Sequence, residues 1–229
     1  MKTHVNVVCV KTGNKYDRDR VERLYNMVER NCSLPFSFYC LTDDKDISWK
    51  FKPIPLDVEL DLESYWWKIS LFNLRFSTPT IYFDLDIVIQ NNFDYIFDMI
   101  KEDKILAIKP DDAGISREND IFLYNDSLIN TSILGFIPQN HKDVFIDFTK
   151  DTDYHIAKYY GLDRFLSDKF LNKFNYLDFN NDYYYRWKND STPEIYCDKN
   201  GLAHDPRKTF CLICQEQSHM YVGLEKYFL

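Results

Sequence analysis

Asp84-Leu85-Asp86 sets two carboxylates two residues apart inside the run Thr80-Ile81-Tyr82-Phe83-Asp84-Leu85-Asp86-Ile87-Val88-Ile89. Along a strand, residues i and i+2 point to the same side. Two anions sharing one apolar patch repel each other, and burial worsens the conflict. A bound cation resolves it. Hard oxygen ligands suit Mg2+ or Mn2+, and such an ion commonly completes its shell with substrate phosphates. The opposing reading is a solvated acidic turn with no ligand. Turns gather Gly, Asn or Ser around their acids, whereas here the neighbours are Tyr, Phe, Leu, Ile and Val.

Such a pair needs a scaffold. His4 to Val10 is apolar and β-branched and reads as a strand, followed by a polar loop from Lys11 to Lys15. Asp17 is a candidate N-cap, behind which Val21, Leu24, Tyr25 and Val28 recur at helical spacing. Phe36 to Leu41 reads as a second strand, ending in the acidic turn Thr42-Asp43-Asp44. Strand, helix, strand is the opening of a parallel sheet, whose ligands sit at the carboxyl ends of its strands. Trp49 to Ile54 fits a short third strand. Ser64 is placed to cap a helix from Tyr65 to Phe76, which Thr78-Pro79 breaks. The run Thr80 to Ile89 has the pattern of one central strand covered on both faces. Further along, Phe93 to Ile100, His141 to Lys150 and Asp163 to Lys173 read as helices, and Lys104 to Ile108 and Ile129 to Ile137 as strands. Past Asn175 the pattern is less regular, with Thr209 to Cys214 its one clear strand.

Composition narrows the function classes. The 229 residues include 28 Lys and Arg against 36 Asp and Glu, a net charge of −8, which disfavours nucleic acid and anionic membrane as partners. No apolar run reaches the length of a membrane span, and no secretory leader is visible at the start. With six cysteines read as reduced thiols, the expected location is cytoplasmic. The spacing Cys211-Leu212-Ile213-Cys214 has no second pair and reads as buried strand thiols. Aromatic residues make up 17%, enough to supply both a core and a sugar-stacking platform; Trp66, Trp67 and the Tyr183 to Trp187 cluster are candidates.

Tyr82-Phe83-Asp84-Leu85-Asp86-Ile87-Val88 resembles the DxD segment of GT-A glycosyltransferases, and three other segments resemble the same family in the same order. Trp66-Trp67-Lys68-Ile69-Ser70-Leu71-Phe72 is similar to the helix preceding DxD in small bacterial and viral members. Ile129-Asn130-Thr131-Ser132-Ile133-Leu134-Gly135-Phe136 is similar to the strand that follows it. Gly161-Leu162-Asp163-Arg164-Phe165-Leu166 is similar to an acidic helix start that usually reads Asp-Gln; Arg164 departs from it. The resemblance, closest to family 8-like enzymes, implies an α/β GT-A fold: a Rossmann-like open mixed sheet flanked by helices, in a single domain over 1–229. It implies a nucleotide-binding half at 1–90 and an acceptor and sugar half at 91–229.

Roles are implied residue by residue. Asp84 contacts the ribose or reaches the metal through water, and Asp86 is its direct ligand. Lys11 and Thr12 approach the base and ribose, Asp43 lies near the base, and Lys68 faces the diphosphate. Asn130 and Ser132 line the sugar or acceptor side. Asp163 is the implied catalytic carboxylate, orienting a donor hydroxyl or taking the acceptor's proton. The family often adds a late His in a Phe-His-Gly segment; that triplet is missing, and His219 is the stand-in for a third metal ligand. The implied activity is transfer of a hexose from a nucleotide-sugar, UDP-sugar by default, to a carbohydrate acceptor, with Mn2+ or Mg2+. Plain structural roles compete with these: Asp43 and Asp44 in a turn, Lys68 on a solvated helix face, Asn130 satisfying backbone, Asp163 as an N-cap.

Two rival functions remain. A haloacid-dehalogenase-like phosphatase also ends a strand in Asp-x-Asp, with a later Lys and acidic pair such as Lys109 and Asp111-Asp112. Its motif, however, belongs on the first strand. The other rival is a catalytically inactive nucleotide-binding module, which the missing Phe-His-Gly segment would suit.

Overall fold

A computed structural model describes residues 4–44, 51–56, 60, 62–63, 65–109, 127–159, 161–177, 183–185 and 210–213. The chain begins with β1 (Val5–Lys11), α1 (Arg18–Asn31), β2 (Phe36–Thr42) and β3 (Lys52–Pro55). Asp17 caps α1 by accepting from the Arg20 backbone N–H at 3.1 Å, and Val21, Leu24, Met27 and Val28 form its buried stripe. A 3-10 helix, Trp66–Asn73, then leads to β4 (Thr80–Phe83) and β5 (Ile87–Ile89). Next come α2 (Asp94–Met99), β6 (Ile105–Ile108), β7 (Asn130–Phe136), α3 (Lys142–Lys150), α4 (Thr152–Lys158), α5 (Leu162–Phe170) and β8 (Phe174–Leu177). Two short strands, β9 (Tyr183–Tyr185) and β10 (Cys211–Ile213), complete the described elements.

The main sheet has seven strands in the order β3-β2-β1-β4-β7-β6-β8. β3, β2, β1 and β4 run parallel, and β7 is antiparallel to both β4 and β6. The mixed open sheet expected from the sequence is therefore present. Its core lies on both faces. α1 and α2 cover one side; the 3-10 helix, α3 and α5 cover the other. The chain moves outward from β1 through β2 to β3, then returns to lay β4 on the opposite side of β1. That reversal opens a crevice at the carboxyl ends of β1 and β4.

Two expected elements differ. The span Tyr65 to Phe76 is not an α-helix: Trp66–Asn73 coils with three residues per turn. At that period Trp66, Ile69 and Phe72 eclipse one another in one row, and all three are fully buried. Lys68 falls in a different row, together with Tyr65. Bulky apolar residues on almost every side thus favour the tighter coil over a one-faced helix.

The second difference bears directly on the acids. Thr80 to Ile89 is two strands, not one. β4 ends at Phe83, the Ile87 N–H donates to the Asp84 carbonyl at 3.3 Å, and β5 departs into a separate sheet with order β5-β10-β9. Asp84 and Asp86 therefore sit in a turn. Their neighbours are apolar because Phe83, Leu85 and Ile87 enter the core on either side of it.

His141 ends a 3-10 turn, Pro138–His141, and is buried. Burial pushes its imidazole below the ordinary range, and the Lys173 ammonium adds to the effect over the opposing Asp143. The native state then resists a proton that the unfolded chain accepts at about pH 6.5. Stability is expected to fall as pH drops below that value. Urea midpoints at pH 7.5 and 5.5 check this, with a shallower decline expected in His141→Gln.

Candidate active site

Among the described residues, a pocket in the crevice brings the loop after β1 together with the acidic turn after β4. The loop after β1 contributes Thr12, Lys15 and Tyr16. The turn after β4 contributes Asp84, Leu85 and Asp86, with Tyr82 from the strand itself, and the 3-10 helix adds Lys68 and its leading residue Tyr65. Each group stands at a strand end or helix start beside the point where strand order reverses, so the topology alone accounts for the convergence.

The turn is held from β7. Antiparallel pairing continues past Phe83 opposite Ile133, so the Ser132 carbonyl accepts the Asp84 N–H at 2.9 Å. Asn130 accepts the Ser132 N–H on its side-chain oxygen at 2.8 Å. Both residues thereby brace the acidic turn from the next strand.

Asp84 is gripped on both oxygens. Lys68 Nζ lies 2.7 Å from each, and the Tyr82 hydroxyl donates to Oδ1. Lys68 and Asp84 are mostly buried, their side chains 19% and 18% exposed. Burial alone would lower the Lys68 ammonium, but the charges of Asp84, Asp163 and Asp86 outweigh it and hold the group above its usual range. Tyr82 is pushed well up, first by burial and then by the Asp84 charge.

Asp163, in the first turn of α5, acts on Lys68 through its charge. Its Oδ1 accepts from the Thr131 N–H at 3.2 Å and from the Thr131 hydroxyl. Burial raises its carboxyl above the ordinary range; Lys68 and Thr131 pull it down, while Asp84 pushes it up again. Thr131 was no candidate from the sequence. It lies beside an irregularity where the β6 register jumps from Leu134 to Asn130, and local pattern carries no sign of that.

Three carboxylates act on one ammonium, so positive charge is in deficit here. That deficit and the all-oxygen chemistry fit a divalent cation. Among the described residues no cluster of three metal-capable side chains forms a site by itself, so substrate oxygens would have to complete the shell. Asp86, 8% exposed and lining the pocket, is the carboxylate best placed to hold such an ion.

The remaining sequence candidates support the pocket from behind. Lys11 is buried and its Nζ donates to the Gly13 carbonyl at 3.2 Å. Asp43 accepts the Gly13 N–H at 2.8 Å, tying the loop after β1 to the end of β2. Gly13 has φ of +56°, a conformation that favours glycine, so the loop is fixed at that point. Sequence reasoning missed Lys15, Tyr16 and Tyr65. Lys15 lies 5.3 Å over the Tyr16 ring, and Tyr65 is 44% exposed at the pocket. An aromatic beside a polar loop was the available signal. β10 ends at Ile213 opposite Ile87, one residue from Asp86; His219 itself lies outside the described residues, as do Trp187, Asp111 and Asp112.

No family model matches this chain, and no curated protein matches it by sequence. Solved structures do. An active-site mutant of LgtC superposes with a TM-score of 0.62 at 10% identity, covering 92% of this chain and 87% of that one. The bifunctional glycosyltransferase WbbM gives 0.65 at 11% identity, over 94% of this chain but 46% of its own length. The glycosyltransferase GlyE of Streptococcus pneumoniae gives 0.58 at 13%, over 77% and 45%. This chain has the GT-A glycosyltransferase fold. At such identities the likeness establishes architecture. No helix among the described residues is long and apolar enough to cross a membrane.

Proposed function

We propose that this chain is a metal-dependent glycosyltransferase, moving a hexose from a nucleoside-diphosphate sugar, UDP-sugar first, to a carbohydrate acceptor. The observation that carries the reading is the cluster of Asp84, Asp86 and Asp163 around Lys68 at the strand-order reversal of a GT-A fold. The phosphatase alternative needs its acids on the leading strand; here three strands precede them.

Mn2+ or Mg2+ held through Asp86 would supply Lewis-acid stabilisation of the departing diphosphate. The chain's own groups do the rest. Lys68 supplies a positive charge where negative charge builds as the anomeric bond breaks. Tyr16 and Lys15 offer a ring and a cation to the base, and Thr12 a hydroxyl to the ribose. Asp163 is fixed through Oδ1 by Thr131, which leaves Oδ2 to accept from a hydroxyl of the transferred sugar and hold it in line with the acceptor.

The test is calorimetric titration of the full chain with UDP and GDP, with and without Mn2+. UDP binding that requires Mn2+ is the expected result. Failure of both nucleotides to bind with metal present would sink the reading.

A further inference from the structure

The candidate cation site already contains a cation. Lys68 Nζ sits at 2.7 Å from both oxygens of Asp84 and is drawn as well by Asp86 and Asp163. Solvent screens the pair weakly, since both side chains are largely buried. A divalent ion using the same carboxylates must therefore either displace the ammonium or stand beside it, and like charges in a half-buried site repel strongly.

A diphosphate changes this balance. It brings several negative charges into the pocket that Lys68 lines. The lysine stem is a flexible four-carbon chain, so the ammonium can turn from a carboxylate to a phosphate without backbone movement. The Tyr82 hydroxyl stays with Asp84 and keeps that carboxylate oriented once the ammonium has left.

We propose that Lys68 competes with the divalent cation for Asp84 in the nucleotide-free protein and is drawn off by the diphosphate, so that cation and nucleotide bind as a pair. The inference builds on the nucleoside-diphosphate reading above. Linkage makes it quantitative: if nucleotide strengthens cation binding by some factor, the cation strengthens nucleotide binding by the same factor.

The experiment measures Mn2+ binding by electron paramagnetic resonance and UDP binding by calorimetry, on the full chain and on Lys68→Gln. In the wild type, saturating UDP is expected to tighten Mn2+ binding about tenfold or more, within the usual range of coupling between sites. Lys68→Gln is expected to bind Mn2+ alone about threefold or more tighter, yet to bind UDP with Mn2+ about tenfold weaker, because the competitor and the phosphate partner are the same group. A lysine that merely supported the fold would weaken both. Mn2+ binding that is unchanged or weaker in Lys68→Gln overturns the proposal. So does independent binding of Mn2+ and UDP by the wild type, a result that needs no variant. A wild type that binds Mn2+ but neither UDP nor GDP sinks the transferase reading, while the Mn2+ affinity of Lys68→Gln still decides the competition.

Discussion

Asp86→Asn is expected to lower sugar transfer by about three orders of magnitude and to abolish Mn2+-dependent UDP binding, while leaving the fold intact. The residue is 8% exposed and lines the pocket. An amide of the same shape keeps the packing but carries no charge, and it is a poor ligand for a hard cation. Loss of several kcal/mol of charge stabilisation, about 4, corresponds to the thousandfold drop. The same change removes one of the three carboxylate charges that act on a single ammonium, so the melting temperature is expected to hold or rise. Calorimetry with Mn2+ and UDP, a transfer assay and a thermal melt read the three effects separately. A variant that melts normally and still binds Mn2+ with UDP as the wild type does would remove Asp86 from the role assigned here.

Asp163→Asn is expected to trade stability against turnover. Burial holds the native carboxyl above its ordinary range in spite of Lys68 and Thr131. A raised native value means the native state binds the proton more readily than the unfolded chain does. The associated stability is present below about pH 4, where both states are protonated, and is lost as pH rises through the native value. At neutral pH the ionised group therefore costs stability, and the amide removes that cost. Asparagine can still accept from the Thr131 N–H, so α5 stays tied to β7. Turnover is expected to fall by about 100-fold or more, the scale of a lost proton-transfer or orienting group, with the melting temperature unchanged or raised. UDP binding in Mn2+ is expected to fall far less than turnover, because Asp163 is assigned to the sugar. A matched loss in both would place it on the diphosphate instead.

The order of the elements from β1 to β3 and the spacing of the paired acids could be read from the sequence, and for one reason; α4, β8 and β9 could not. Burial on one face or both faces of an element leaves a local periodicity, so β1, α1, β2 and the apolar flanks of Asp84 and Asp86 were each visible within a window of about ten residues. Periodicity was weaker where bulky residues bury in all directions: Trp66–Asn73 reads as helix, but only its packing selects the three-residue period. It also could not distinguish a single apolar strand from two strands with a turn between them, since both are apolar throughout.

Partnership was the larger gap. That Lys68 would grip Asp84, that Thr131 would hold Asp163, and that the Ser132 carbonyl would pin the acidic turn all depend on β7 lying beside β4 and on α5 and the 3-10 helix packing over that same end of the sheet. Residues joined in this way are 16 to 48 positions apart in the chain (Lys68 with Asp84, Asp84 with Ser132), beyond the reach of any local pattern. The sequence determined which chemistry-bearing groups exist and that an open α/β sheet would carry them. The tertiary structure decided which of them meet, because a polar side chain's partner is fixed by strand order and register, and these are long-range properties.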